Sequence, residues 1–172
     1  DKMILRYLII LLTLIPIKAL ALIEVDITRG NLNPLPIAVS PLATEKNSKD
    51  SFKKILKKDN IGAEISIIVE NNLKQSGLFN PLNKDAFLQK PEIANLKPRF
   101  EDWNLIKAQA LVTGKVTLVD EKLRVEFRLW DVLAGKEMMA LAFTTVPSNW
   151  RRVGHIITDK VYERLTGEKG YF

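Results

Sequence analysis

The sequence predicts an α/β domain with a mixed sheet, and two observations predict this fold class. The stretch from Ala108 to Thr145 holds three consecutive segments with strand patterns, which we interpret as an antiparallel meander. One longer segment before it and one after it carry apolar residues at helical spacing. Two long helices, each with one apolar stripe, supply the cover that the apolar face of the meander needs.

The middle strand of the meander has the clearest pattern. Apolar side chains occupy every second position, and the positions between them are mostly polar. One face of the strand is formed by Leu123, Val125, Phe127 and Leu129. Asp120-Glu121 has the length of a hairpin turn, and Ala134-Gly135-Lys136 separates the middle strand from a third strand, Glu137–Thr145. Gly114 lies inside the first strand, where glycine indicates a bulge or close packing.

The first long helix is predicted over Ile61–Ser76. Asn60 suits the N-cap of this helix, and Gly77 suits the left-handed residue that ends it. The apolar stripe of the helix consists of Ile61, Ile65, Ile68, Val69 and Leu73. The last helix is predicted to begin at Ser148 as N-cap and to end at Gly167. Its stripe is Trp150, Val153, Ile157, Val161 and Leu165.

The remaining segments are shorter. Leu35–Ser40 is predicted as a strand and Leu78–Leu82 as a short extended piece, whereas Asn83–Pro98, with two prolines, is predicted to be irregular. Phe100–Lys107 is predicted as a short helix with Trp103 and Ile106 facing inward. A further short helix within Thr44–Asp59 would place Phe52, Ile55 and Leu56 on one side.

The N-terminal residues have the features of a secretory signal peptide. A basic start at Lys2 and Arg6 precedes an apolar run, and Ala19 and Ala21 form a small-residue cleavage pattern. We predict a signal peptide over residues 1–21, cleaved after Ala21, and export of the mature chain. The apolar run is shorter than the roughly 20 residues of a membrane span, and an uncleaved anchor remains the alternative.

Residues 22–34 are predicted to form a mobile N-terminal strand and linker ahead of a domain over residues 35–172. The strand alternates, with Ile23, Val25 and Ile27 on one side, and Gly30 is its predicted hinge. It is either an edge strand of the domain's own sheet or a strand that pairs with another protein. Burying three aliphatic side chains gains roughly 1.5–3 kcal/mol each, and ordering about eight residues costs roughly 1–2 kcal/mol each, so the segment can switch partners. The predicted partner-binding residues are Leu22, Ile23, Glu24, Val25, Asp26, Ile27, Thr28 and Arg29.

The composition excludes several kinds of chemistry. The chain has no cysteine and a single histidine, His155, which excludes thiolate catalysis, disulfides and multi-histidine metal sites within one chain. The sequence has no phosphate-binding glycine loop and no G-x-S-x-G motif. We therefore predict a protein that is not an enzyme, with no cofactor and no metal, in which His155 is structural or on the surface. An exported hydrolase remains the alternative from another class.

A lysine-rich stretch over residues 46–58 adds to the positive net charge of +6. We interpret it as a solvated helix face. The alternative is a domain that binds an anionic surface or a small ligand through this stretch. Nucleic acid is not an expected partner, because the chain is predicted to be exported and Phe52 is the only aromatic residue in the stretch.

Several motifs together resemble the TolB family. They lie in residues 60–62, 73–82, 110–116, 127–132 and 150–172, the last ending in Arg-Leu-Thr-Gly-Glu-Lys-Gly-Tyr-Phe. The resemblance implies a periplasmic component of the Tol–Pal system, which supports outer-membrane integrity and cell division and serves bacteriocin import. It also implies an N-terminal α/β domain similar to anticodon-binding domains of tRNA synthetases, followed in the family by a β-propeller.

The resemblance implies two protein partners. In the family, the mature N-terminal segment binds TolA and changes position when Pal binds the propeller, and this segment matches Leu22–Arg29 here. No blade-length repeat occurs before Phe172, so we expect an isolated domain or a fragment, with TolA rather than Pal as the partner of these residues. Contact with membranes would be peripheral at most.

Overall fold

A mixed sheet of six strands forms the centre of the fold in the computed structural model, which describes residues 23–25 and 33–172. The strand order is β3-β1-β4-β5-β6, and β2 pairs separately with β4. The pairs among β1 to β4 are parallel, and the pairs β4–β5 and β5–β6 are antiparallel. The strands are β1 (Leu35–Val39), β2 (Ala43–Thr44), β3 (Phe79–Pro81), β4 (Ala110–Val119), β5 (Lys122–Asp131) and β6 (Lys136–Thr145).

Five helices pack on this sheet within the described part of the chain. They are α1 (Lys46–Leu56), α2 (Ile61–Gln75), α3 (Pro91–Leu96), α4 (Phe100–Leu105) and α5 (Trp150–Thr166). The long helices α2 and α5 contact each other and cover one face of the sheet, whereas α3 and α4 contribute to a second core cluster on the other face. The predicted fold class is therefore confirmed.

The meander is confirmed as predicted from the alternation. Asp120 and Glu121 connect β4 to β5, and both have positive φ angles, 49° and 62°. Left-handed conformations at both central residues are typical of the hairpin turn that matches the twist of antiparallel strands. A register shift between Leu129 and Trp130 interrupts the β5–β6 pairing, which the sequence did not indicate.

The main core lies between the meander and the two long helices. The predicted face of β5 is buried, and so are the stripes of α2 and α5, apart from Ile68, which is half-buried. Asn72 of α2 also donates hydrogen bonds across the helix pair to His155 Nδ1 (2.9 Å) and Thr158 Oγ1 (3.2 Å). Both predicted helices are confirmed, since each buries the face that its periodicity indicated.

The second core explains why β1 and β4 carry apolar residues at consecutive positions. Ala38 and Leu111 face away from the main core and pack with Trp103, which is 1% exposed. Gln89 Oε1 accepts hydrogen bonds from Trp103 Nε1 and the backbone N–H of Arg99, both 2.8 Å long. Strands buried on both faces lose the alternation of half-buried strands.

Three local predictions were wrong. The segment 83–98 is not wholly irregular, because it contains a 3₁₀ turn, Lys84–Ala86, and α3, where Pro91 occupies the first turn and needs no N–H partner. Ser148 does not cap α5 and lies in a 3₁₀ turn, Pro147–Asn149. Ile55 does not face inward, since it is 49% exposed while Phe52 is fully buried.

The predicted helix ends at Asn60, Gly77 and Gly167 are confirmed. Asn60 Oδ1 accepts a hydrogen bond from the N–H of Ala63, and the two glycines have φ angles of 74° and 75°. Gly114 marks close packing, as predicted, because a Cβ there would overlap the carbonyl oxygen of Glu126 and the side chain of Leu42. Gly62 has the same function on α2, where a Cβ would overlap the carbonyl oxygen of Leu42.

Gly62→Ala is expected to lower the free energy of unfolding by about 2 kcal/mol or more, because overpacking against backbone outweighs the gain of about 1 kcal/mol that alanine brings to an open helix. Urea denaturation measures the change. Asn71→Ala, on the exposed side of the same helix, serves as the control and should stabilise the domain slightly, by roughly 0.5 kcal/mol. A Gly62→Ala domain as stable as the original would contradict the close approach of α2 to Leu42.

The solvent face of the meander carries a charged cluster around Glu126. Burial opposes ionisation of Glu126, but hydrogen bonds from Arg124 (3.1 Å) and Lys115 (3.3 Å) outweigh it and lower the pKa of the carboxyl group. A lowered pKa in the folded state adds stability above the unfolded pKa, and this stability is lost as pH falls through the folded pKa.

Glu126→Gln is therefore expected to cost about 0.5 kcal/mol at neutral pH, a magnitude typical of partly exposed pairs, and nothing in strong acid. Urea denaturation over a pH series checks this. Glu121→Gln in the exposed hairpin turn should show no comparable dependence on pH. A constant difference between the Glu126→Gln and original domains at all pH values would show that ionisation of Glu126 has no part in stability.

Candidate functional site

The described residues of the N-terminal segment, Ile23–Val25, lie against the C-terminal end of α5. The backbone N–H of Val25 donates a 2.8 Å hydrogen bond to the carbonyl oxygen of Leu165. The last four carbonyl groups of a helix have no partner within the helix, so this oxygen is available to an approaching chain. The end of α5 therefore provides a backbone docking point that no side chain in the sequence reveals.

The side chains of this segment keep the alternation seen in the sequence. Val25 is 4% exposed and belongs to the main core, and Ile23 is half-buried against the same core. Glu24, between them, points to solvent. These three residues are not in a strand, and the one backbone hydrogen bond described for them goes to a helix. For these residues the pattern marks a docked segment rather than an edge strand of the domain's own sheet.

Two open grooves border the docked segment. One, of about 560 Å³, lies between α5 and β6 and is lined by Ile23, Met139, Leu141 and Lys160, among others. The other, of about 480 Å³, lies beside Val25, Leu35 and Asn80. The segment therefore has open space on two sides, although Val25 itself is enclosed by the main core.

Strand β6 forms the wall of the larger groove and one end of the sheet. Its residues Met139, Leu141 and Phe143 are paired in register with Leu129, Phe127 and Val125, so they point toward the side of α5. Arg164 Nε donates a 3.3 Å hydrogen bond to the carbonyl oxygen of Met138 and connects α5 to this strand. The apolar wall of β6 explains why Ile23 settles here rather than in solvent.

The structure brings together only part of the predicted site. Leu22, Asp26, Ile27, Thr28, Arg29 and Gly30 lie outside the described residues, as does the predicted signal peptide over residues 1–21. The sequence analysis missed the surface that receives the segment, namely the Leu165 carbonyl group and the wall formed by Met139 and Leu141. The alternation of Met139, Leu141 and Phe143 at the last strand of the meander was the one signal that could have indicated it.

His155, predicted to be structural or on the surface, is half-buried between α2 and α5. Thr158 Oγ1 donates to the carbonyl oxygen of Gly154 (2.8 Å) and therefore accepts from Asn72 Nδ2. Asn72 Nδ2 also lies 2.9 Å from His155 Nδ1 and donates to it when that nitrogen carries no proton. The imidazole thus belongs to the α2–α5 interface.

Residues 23–25 and 33–172 contain no group of three or more His, Asp or Glu side chains placed to hold a metal ion. Within the same residues, none of the helices combines the length and apolar character needed to cross a bilayer.

The last residues of the chain also lie on α5. The N–H of Phe172 donates to Asp159 Oδ1 (2.9 Å), and the rings of Tyr171 and Phe172 pack edge-on against Tyr162. Burial raises the pKa of the Tyr162 hydroxyl group, and the neighbouring Tyr171 and Glu168 act in the same direction. The described N-terminal residues and the C-terminal residues therefore contact the same helix, α5.

Comparison with known proteins gives a consistent result. The family model of the TolB amino-terminal domain matches residues 23–138. The chain is 84% identical, over 170 residues and 99% of its length, to the Tol-Pal system protein TolB of Pelagibacter ubique (strain HTCC1062), and it spans 38% of that protein.

Solved structures show the same fold. TolB from Acinetobacter baumannii matches with a TM-score of 0.62 at 21% identity, over 80% of this chain and 30% of that one. The hypothetical protein CT253 from Chlamydia trachomatis matches with a TM-score of 0.55 at 13% identity, over 79% of this chain and 100% of that one. At such low identities these likenesses concern the fold alone.

Val25→Asp is expected to release the segment from the domain, because an ionised side chain cannot remain in the main core. The loss in unfolding free energy should stay near 2 kcal/mol, the value of one buried aliphatic side chain, since the segment can leave while the core closes. Hydrogen exchange of the residue 25 amide, measured by NMR, should become much faster. Glu24→Gln, at the exposed neighbour, should leave exchange unchanged, and equal protection in the two variants would refute the docked position.

Proposed function

Because the chain belongs to the family of TolB amino-terminal domains, we propose that it is a non-catalytic periplasmic adaptor of the Tol–Pal system whose N-terminal strand pairs with TolA. The identity of 84% to a Tol-Pal system protein supports the choice of system. In this role the domain would support outer-membrane integrity and cell division. Residues 1–21 would direct export and be removed after Ala21.

The observation that carries the proposal is the docking of a strand-competent segment at the end of α5 rather than in the sheet. The described residues are held by a hydrogen bond to Leu165, by the buried side chain of Val25 and by the half-buried side chain of Ile23. Such a bond contributes about 1 kcal/mol and such a side chain roughly 1.5–3 kcal/mol. A partner that offers a sheet edge supplies several backbone hydrogen bonds together with pockets for alternate side chains. The segment would therefore exchange the domain for the partner.

The roles within the segment follow from the alternation. Ile23, Val25 and Ile27 would fill pockets on TolA, while the backbone of Leu22–Arg29 forms the ladder and Gly30 acts as the hinge. Since Val25 is buried in the free domain, binding requires undocking first. The apparent dissociation constant is then the intrinsic one divided by the undocked fraction.

A binding role fits the described arrangement better than hydrolysis. The single histidine of the chain is engaged by Asn72 at a helix interface, whereas a general base needs an orienting partner and access to substrate. In the family, Pal binds the propeller, so the partner that we propose for these residues is TolA and not Pal. It includes no cofactor.

The proposal predicts that residues 22–172 bind the C-terminal domain of TolA in a calorimetric titration and that residues 31–172 do not. Deletion removes the strand but leaves β1 to α5 intact. Val25→Asp combined with Ile27→Asp in the longer chain should also abolish the heat of binding, because charged side chains do not fit apolar pockets. Equal binding by both lengths would move the site onto the folded domain and refute the strand model.

A further inference from the structure

A second surface, at the other end of α5, has no part in the proposed function. We call it the basic surface, and it combines the exposed side of α1, the two residues after α1 and the first turn of α5. Its cations are Lys46, Lys49, Lys53, Lys54, Lys57, Lys58, Arg151 and Arg152. In helix α1 only Ser48 and Phe52 are buried, so most of the helix surface faces solvent.

Trp150 joins the two parts of this surface. Lys58 Nζ lies 5.5 Å and the Arg151 guanidinium carbon 4.3 Å from the centre of the indole ring. Both distances are within the range of cation–π contacts. The ring is 6% exposed and anchors α5 in the core, so the cations from α1 and α5 are held on a rigid base.

The acidic side chains nearby do not balance these cations. Asp59 pairs with Lys53 (3.0 Å) and Glu64 with Lys58 (3.2 Å). The other acids on or beside α1 are Glu45 and Asp50. Within the described residues, Lys46, Lys49, Lys54, Lys57, Arg151 and Arg152 form no ion pair. A concentrated excess of positive charge attracts anions over several ångströms.

The shape and the apolar content of the basic surface select the kind of anion. A helix face is convex and offers no walls around a small molecule. Ile55 is 49% exposed between Lys54 and the end of the helix, and basic helices with exposed aliphatic side chains are typical of membrane interfaces. Nucleic acid is disfavoured, because Phe52 and Trp150 are buried and offer no ring on which bases could stack.

We propose that the basic surface docks the domain reversibly onto a bilayer of anionic phospholipids, with Ile55 entering the headgroup region. Contacts of this kind raise binding roughly fivefold for each basic residue and weaken with salt. Trp150 and Leu165 stand at opposite ends of α5, about 22 Å apart at 1.5 Å per residue. The bilayer and a partner of the N-terminal strand could therefore bind together, and the docking does not depend on TolA.

The test is co-sedimentation of residues 22–172, which include every described residue, with vesicles of equal parts phosphatidylglycerol and phosphatidylcholine. We expect binding in low salt, a loss of more than tenfold in 0.5 M NaCl, and none to pure phosphatidylcholine. Charge reversal at three exposed positions (Lys46→Glu, Lys49→Glu and Lys54→Glu together) should lower binding roughly a hundredfold or more. Ile55→Ser should lower it a few-fold.

The matched control reverses three exposed lysines elsewhere: Lys74→Glu, Lys90→Glu and Lys97→Glu together. This variant has the same net charge as the triple variant of α1 and should keep most of the binding to the vesicles. Equal losses in the two triple variants would overturn the location, since net charge alone would then explain binding. Binding to pure phosphatidylcholine, or binding to a soluble polyanion such as heparin without binding to vesicles, would overturn the membrane as the partner. Thermal unfolding by circular dichroism confirms that each variant is folded.

Discussion

The burial of one stripe of α5 against α2 and the meander is the interaction on which the other features depend. Val153, Ile157, Val161 and Leu165 are fully buried, and each buried aliphatic side chain contributes roughly 1.5–3 kcal/mol. This packing fixes the direction of the helix and thereby the position of both its ends. The first turn holds Trp150 among the cations of the basic surface, and the last turn presents the carbonyl group that holds Val25. Both proposed surfaces are thus consequences of one packed helix.

Elements with one buried face could be predicted from the sequence, because burial on one face leaves a period in the chain. This applies to β5, α2 and α5, whose predicted stripes are the buried ones. Helix α3 was missed because it is short, starts with a proline and has only Ala94 and Asn95 buried, so no apolar stripe marks it. Ile55 was misplaced because Phe52 supplies the only large buried side chain of α1, and one residue does not define the direction of a helix face.

The alternation of the N-terminal segment was predictable from the sequence, but the surface that receives the segment was not. Alternation shows which side chains of Ile23–Val25 share a face, yet it carries no information about the surface that they meet. That surface is a helix-end carbonyl group and a strand wall far along the chain. The basic surface could also be predicted only in part. The lysine-rich stretch is visible in the sequence, but the contact of Lys58 with Trp150, which brings this stretch next to Arg151 and Arg152, is not.

The position of the chain ends on α5 bears on how docking of the N-terminal segment could be controlled. Phe172 is bound to Asp159 and packs on Tyr162, which lies less than one helical turn from Leu165. The chain spans 38% of the TolB relative, and Phe172 lies on the side of α5 that carries Asp159 and Tyr162. A change of 1–3 kcal/mol at this helix end, a typical coupling energy between sites, would alter the ratio of docked to undocked segment about 5- to 150-fold. A segment held at a helix end can be displaced without opening a ladder of backbone hydrogen bonds, whereas displacing a full edge strand would break such a ladder.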